Sequence, residues 1–181
     1  ILRYLRATLR LGLSFSGKHG VDLRAYVDAA FGREHHRTAS GCAPSRTCYV
    51  VWLAGACIAS MCKRQGPVAL STAEAEIYAL AALVRHLLAV RRLVTMIIGE
   101  TLPPTLVYED NTAVIDMIAR RDLTARTRHI RINLGFIMDA VDQGDVWIEY
   151  IASADQLADF GTAQRAPDVY ERHRGPVLGD G

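Results

Sequence analysis

Leu23, Ala25, Val27 and Ala29 alternate with Arg24, Tyr26 and Asp28, the period-2 pattern of a strand, and the run ends at Phe31-Gly32. Asp28 falls near that strand's end. Polar residues from Arg33 to Ser40 read as a loop. Cys48 to Leu53 and Cys57 to Cys62 then read as two hairpin strands around Ala54-Gly55-Ala56, rich in β-branched and aromatic residues. The stretch STAEAEIYALAALVRHLLAVRRLVTMIIG, Ser71 to Gly99, predicts one long helix, with Ser71 and Glu74 forming a capping-box pattern at its start. Thr105 to Asp110 (TLVYED) follows Pro103-Pro104 as a buried strand, and Asn111 is a good N-cap for a helix reaching about Arg120. A further helix is predicted over 128–141, closed by Gln143-Gly144, and Val146 to Ile151 reads as a fifth strand. Ser153 with Gln156 repeats the capping-box pattern and predicts a short last helix.

Three consecutive strands imply an antiparallel meander, whereas each later strand is reached through a helix, which implies parallel crossovers. The expected architecture is therefore α/β, a mixed five-stranded sheet with helices on both faces. Ahead of it, residues 1–16 read as a short helix and an apolar strand, joined through Ser16-Gly17-Lys18-His19-Gly20. After about Arg165, Gly, Pro and charged residues predict a loose tail.

Composition narrows the picture. The 181 residues are 50% hydrophobic and 22% charged, which excludes a disordered or collagen-like chain and allows one domain with terminal extensions. A net charge of +2 provides no strong overall field for a polyanion, so nucleic-acid binding would need a local basic patch. Cys42, Cys48, Cys57 and Cys62 show no CxxC pair or regular ligand spacing, which favours a reduced, intracellular setting. The longest uncharged stretch, Thr47 to Cys62, is shorter than the roughly 20 residues of a membrane helix, so no membrane span is expected. ILRYLRATLRLGLSF is basic and free of acids, and the chain opens at Ile1 without Met; it reads as a piece of a longer polypeptide. His35-His36 reads as part of a solvated loop, and Trp52 and Trp147, both in predicted strands, as core.

Candidate chemistry lies in acids at strand ends and helix starts: Asp28, Glu76, Asp110 and Asp159. Glu74 and Glu76 stand on nearly opposite helix faces, and Glu76 shares its face with Leu80, Leu83 and Leu87, the stripe that packs on the sheet. Glu74 already has a capping role, whereas a buried carboxylate heading an apolar stripe needs a cation. Asn111 caps the next helix, which frees Asp110; period-2 geometry turns Glu109 to the other face, as a partly exposed neighbour. Asp155 sits in a first turn, where the helix dipole accounts for an acid; Asp159 has no such account, but the two share a face and the residues alone leave the choice open. Carboxylates converging on one point require a divalent cation, and hard oxygen donors favour Mg²⁺ or Mn²⁺ over Zn²⁺. Two such ions roughly 3.5–4 Å apart would activate a water and stabilise the leaving oxygen of a phosphodiester.

AYVDAAFG (25–32), KRQGPVALSTAEAEIYAL (63–80), LVYEDNTAVI (106–115), ARTRHI (125–130) and ADQLAD (154–159) occur in an order and spacing that resemble the ribonuclease H domain of copia-type retrotransposon polyproteins. The resemblance implies a ribonuclease H-like fold over residues 21–165, preceded by the end of a reverse transcriptase or connection segment (1–20) and followed by a flexible tail (166–181). It implies hydrolysis of the RNA strand of an RNA/DNA hybrid by Asp28, Glu76, Asp110 and Asp159, with two Mg²⁺ ions and Mn²⁺ as a substitute. Lys63, Arg64, Asn111, Arg126, Arg128 and His129 are candidate nucleic-acid contacts; Arg120, Arg121 and Arg131 extend that basic segment. The implied partners are the hybrid and the reverse transcriptase of the same polyprotein, with no membrane. The implied setting is the cytoplasm, in a virus-like particle, with a nuclear stage. Three departures mark a divergent copy: Ala30 where an acid is usual, Ser60 for a tryptophan, and Thr162-Ala163-Gln164 for Thr-Lys-Pro. No histidine stands at Ser153 to Gln156, where many ribonucleases H carry a mobile one.

Overall fold

The computed structural model describes residues 2–15, 18, 20–32, 44–123, 128, 130–162 and 167–178. A short helix α1 (Leu2–Ala7) precedes strands β1 (Leu23–Ala30), β2 (Arg46–Leu53) and β3 (Ala56–Arg64). The long helix α2 (Thr72–Ile98), β4 (Thr105–Glu109), α3 (Thr112–Ala119), α4 (Arg131–Asp142) and β5 (Val146–Tyr150) follow. Two 3₁₀ turns, Ser153–Asp155 and Leu157–Gly161, lead to α5 (Pro167–Leu178).

The strands form one sheet in the order β3-β2-β1-β4-β5. β1 pairs antiparallel with β2 and β2 with β3, while β4 runs parallel to both β1 and β5, the mixed topology predicted from the element order. Ala54 and Gly55 both have positive φ, as a two-residue hairpin turn demands. Ser71 Oγ accepts from the Glu74 amide at 3.1 Å, and Gly99 ends α2 in the left-handed region. Ile77, Leu80, Leu83, Val84 and Leu87 are fully buried where α2 crosses β1 and β2. α3 and α4 complete the core on this face. The opposite face carries a smaller cluster, in which Tyr26, Leu157 and Ala158 pack with Tyr108, Ile151 and Val177.

Several expectations are corrected. Residues 11–15 form no strand: an apolar run outside the sheet gains no ladder, and Ser14 instead donates its amide to Leu178 O at 2.7 Å. The segment expected as a loose tail contains α5, which starts with Pro167 at its first position and packs against β3 and the second 3₁₀ turn. The last helix is two 3₁₀ turns, and Ser153 and Gln156 make no capping box: Gln156 is drawn into the sheet instead. Trp147 is 58% exposed on edge strand β5, and Trp52 is half-buried with the Arg24 guanidinium 5.0 Å from its ring centre. Cys48 and Cys57 are buried free thiols and Cys62 an exposed one. Among the described residues no helix is long and apolar enough to cross a membrane.

Candidate active site

At the carboxyl ends of β1 and β4 the sheet opens into a cleft of about 470 Å³, whose walls include Asp28, Glu76, Asp110, Asn111, Asp159 and Thr162. Each acid arrives on a different element. Asp28 is carried by the central strand, Glu76 by the second turn of α2, Asp110 by the residue after β4, and Asp159 by the second 3₁₀ turn. One carboxylate oxygen from each of Asp28, Glu76 and Asp110 lies within 4.8 Å of the other two. Asp159, 5% exposed, lines the same cleft outside that trio, whereas Asp155 is exposed and lines none of it.

Hydrogen bonds fix these groups from behind. Thr162 Oγ1 donates to Asp28 Oδ2 and lies 3.5 Å from Asp159 Oδ1. Ser153 Oγ donates to Asp110 Oδ2 at 2.6 Å. Asn111 Oδ1 accepts from the amides of Ala113 and Val114, so the predicted cap forms while its residue stays at the cleft wall. Glu74 accepts from the Leu70 amide at 2.7 Å and from the Tyr78 hydroxyl at 2.9 Å, a structural role on a helix face away from the cleft.

Burial raises the carboxyl pKa values of Asp28 and Glu76, and repulsion from neighbouring acids adds to it. Asp28 is pushed up to about 6 by burial, opposed by the Thr162 hydroxyl and reinforced by Asp159 and Asp110. Glu76 is pushed up to about 11 by burial and then by the charges of Glu109, Asp28 and Asp110. Glu76 Oε2 is buried without a hydrogen-bond partner among the described residues. An unpartnered carboxyl oxygen beside two further acids fits a hard divalent cation of the Mg²⁺ or Mn²⁺ class, whose charge would favour the ionised form.

Glu109 departs from expectation. It is fully buried, its Oε1 accepting from the Asn111 amide at 3.0 Å and its Oε2 unpartnered among the described residues, and burial pushes its carboxyl up to about 8. The period-2 rule does place it on the other face from Tyr108, but helices cover that face, so it is interior. Sequence reasoning also misses Ser153, Gln156 and Thr162 as site residues. Their roles depend on a fold-back from β5 that no local pattern encodes.

Of the candidate nucleic-acid contacts, Asn111 stands at the cleft wall. Lys63 and Arg64 are exposed and line a separate groove of about 320 Å³ with Arg85 and Asn133. Arg128 and Arg131 are exposed, while Arg126 and His129, like His35 and His36, lie outside the described residues. Arg120 pairs with Asp116 at 3.5 Å and Arg121 with Asp142, so these two cations already face acids.

A mixed sheet of this order, with an acidic cleft at the ends of its central strands, defines the class: the chain has the ribonuclease H fold. It superposes on the N-terminal RNase H domain of a Mycobacterium tuberculosis protein, solved fused to maltose-binding protein, with a TM-score of 0.53 at 16% identity, covering 85% of this chain and 96% of that one. RNase H1 from the halophilic archaeon Halobacterium salinarum gives 0.51 at 17% identity, covering 77% and 92%. In sequence the chain is homologous to retrovirus-related Pol polyproteins of plant transposons. It is 29% identical over 161 residues to that of transposon RE1 from Arabidopsis thaliana (88% of this chain, 10% of the relative). It is 30% identical over 162 residues to that of TNT 1-94 from Nicotiana tabacum (90% and 12%). The chain thus spans about a tenth of the length of the curated relatives it matches. No family model matches it.

Proposed function

We propose that the protein is a ribonuclease H, a metal-dependent endonuclease that hydrolyses the RNA strand of RNA/DNA hybrids during reverse transcription of a retrotransposon. The observation that carries this is the convergence of Asp28, Glu76 and Asp110 within 4.8 Å at the strand ends of a ribonuclease H fold. Asp28, Glu76, Asp110 and Asp159 would together hold two divalent cations, with Mg²⁺ the natural ion and Mn²⁺ its substitute. When bound, the ions supply an activated water and charge stabilisation at the scissile phosphate. Thr162 and Ser153 orient Asp28 and Asp110, and the open cleft admits a phosphodiester backbone. Lys63, Arg64 and Arg128 are exposed cations that would contact hybrid phosphates.

In this account residues 1–20 are the end of a preceding reverse transcriptase or connection segment, the nuclease begins near Val21, and the reverse transcriptase of the same polyprotein is its partner. Ala30, at the cleft wall where the family usually has an acid, favours a second reading: a catalytically decayed module that only binds nucleic acid or packs on a polymerase. Hybrid cleavage at low salt in Mg²⁺, with the longer polypeptide as control, separates the two. The nuclease cuts and Asp110→Asn does not; a decayed module leaves the hybrid intact in both.

A further inference from the structure

We infer that Gln156 is a positioning residue that sets the spacing of the metal-binding carboxylates by clamping the ends of β1 and β4; this rests on the proposed nuclease reading of the cleft. Parallel pairing of the two strands ends at Tyr26 and Tyr108. Beyond that point the ladder between them stops, although both strands run on toward the cleft. Backbone carbonyls inside the protein then need another donor, because leaving them unpaired is costly.

Gln156 supplies that donor. Its side chain is 0% exposed, and Nε2 donates to Val27 O at 2.9 Å and to Tyr108 O at 3.3 Å. The first carbonyl belongs to the residue before Asp28, and the second lies two residues before Asp110. Oε1 of the same amide accepts from the Ala158 amide at 3.3 Å, in the turn that carries Asp159. One buried side chain therefore ties together the three segments that bring Asp28, Asp110 and Asp159 to the cleft, without itself lining it. A carboxylate site tolerates only small errors in ligand spacing, so a group that fixes two strand ends acts on cation affinity through them.

The test uses the full chain with MnCl₂ as the probe. Gln156→Leu removes the amide, and Gln156→Met keeps the side-chain length in case the first variant folds poorly. Val94→Ala, in the core of α2 far from the strand ends, serves as a control matched in melting temperature. The expected result is a loss of Mn²⁺ affinity of about 10–100-fold in both Gln156 variants, with Val94→Ala within about twofold of wild type. Backbone amide resonances of Ala29 and Asp110 should shift in the metal-free Gln156 variants and stay in place in Val94→Ala. Wild-type affinity in the Gln156 variants, or unmoved Ala29 and Asp110 amides, overturns the inference. If wild type itself binds no Mn²⁺, the nuclease reading fails, and the amide shifts alone then decide whether Gln156 positions the strand ends.

Discussion

Glu76 and Glu109 are two buried acids on facing elements, each with an oxygen that no described residue satisfies. Their carboxyls, with that of Asp28, are pushed above their ordinary values of 4.5, 4.5 and 3.8 to about 11, 8 and 6. A raised folded-state pKa means that the native protein holds protons the unfolded chain has released, so stability falls as pH rises. For Asp28 and Glu109 the window runs from about pH 4, where the unfolded groups ionise, to about pH 8, and Glu76 extends it upward. The metal-free protein should therefore melt at progressively lower temperature as pH rises through this window, and saturating Mg²⁺ should flatten that slope. Glu109→Gln keeps the acceptor for the Asn111 amide while removing one charge facing Glu76. It should raise the metal-free melting temperature at the upper end of the window, an effect read by calorimetry with and without EDTA.

At the scale of elements, stability rests on polar ties as well as on the apolar stripe of α2. Arg91, 7% exposed, donates to Pro103 O and Thr105 Oγ1 at 2.7 Å and to Leu102 O at 3.2 Å, and lies 3.4 Å from Asp145. It anchors the last turns of α2 to the start of β4. Arg91→Met would orphan two carbonyls, costing about 2–3 kcal/mol and lowering the melting temperature by roughly 5–10 °C in a scan at constant pH. At Gly161, whose carbonyl accepts from Cys62 Sγ at 3.0 Å, the constraint is also steric: a Cβ there would overlap Cys48 Sγ and come within 3.2 Å of Cys62 Sγ. Gly161→Ala should cost about 1–3 kcal/mol in urea unfolding, and Cys48→Ala, which opens the space, should restore part of it in the double variant. Neither feature is legible in the chain: Arg91 lies inside a helical pattern and Gly161 is one glycine among 14. Legible features are those with a local signature, namely the hairpin around Gly55, the Ser71 and Asn111 caps and the α2 stripe.

The whole molecule gathers four acids from four segments, and they are visible in the sequence because each stands near the end of a strand or the start of a helical segment. Strand parity and helix face lead to Asp28, Glu76 and Asp110, whereas a single last helix would give Asp155 and Asp159 the same face and leave them tied. Folded as 3₁₀ turns, the segment buries Asp159 at the cleft and leaves Asp155 in solvent. Glu109, Gln156 and Thr162 escape sequence reasoning because their environment is created by chain segments far apart in sequence. The net charge of +2 also changes meaning: with acids concentrated in the cleft, the remaining surface is more positive than the total. Lys63→Ala with Arg64→Ala should therefore weaken hybrid binding uniformly across sequences. The same double substitution should reduce the salt slope of binding by about 1 for each phosphate no longer neutralised, as read by fluorescence anisotropy against salt.

The most direct measurement is strand-resolved cleavage of an RNA/DNA hybrid by the purified protein in Mg²⁺, with double-stranded RNA and double-stranded DNA as parallel substrates. Internal cuts confined to the RNA strand of the hybrid, leaving 3′-hydroxyl and 5′-phosphate ends and disappearing in EDTA and in Asp28→Asn, Glu76→Gln and Asp110→Asn, are the predicted result. Undiminished cutting in those three variants, or no cutting of the hybrid by the wild-type chain and its longer polypeptide, would contradict it.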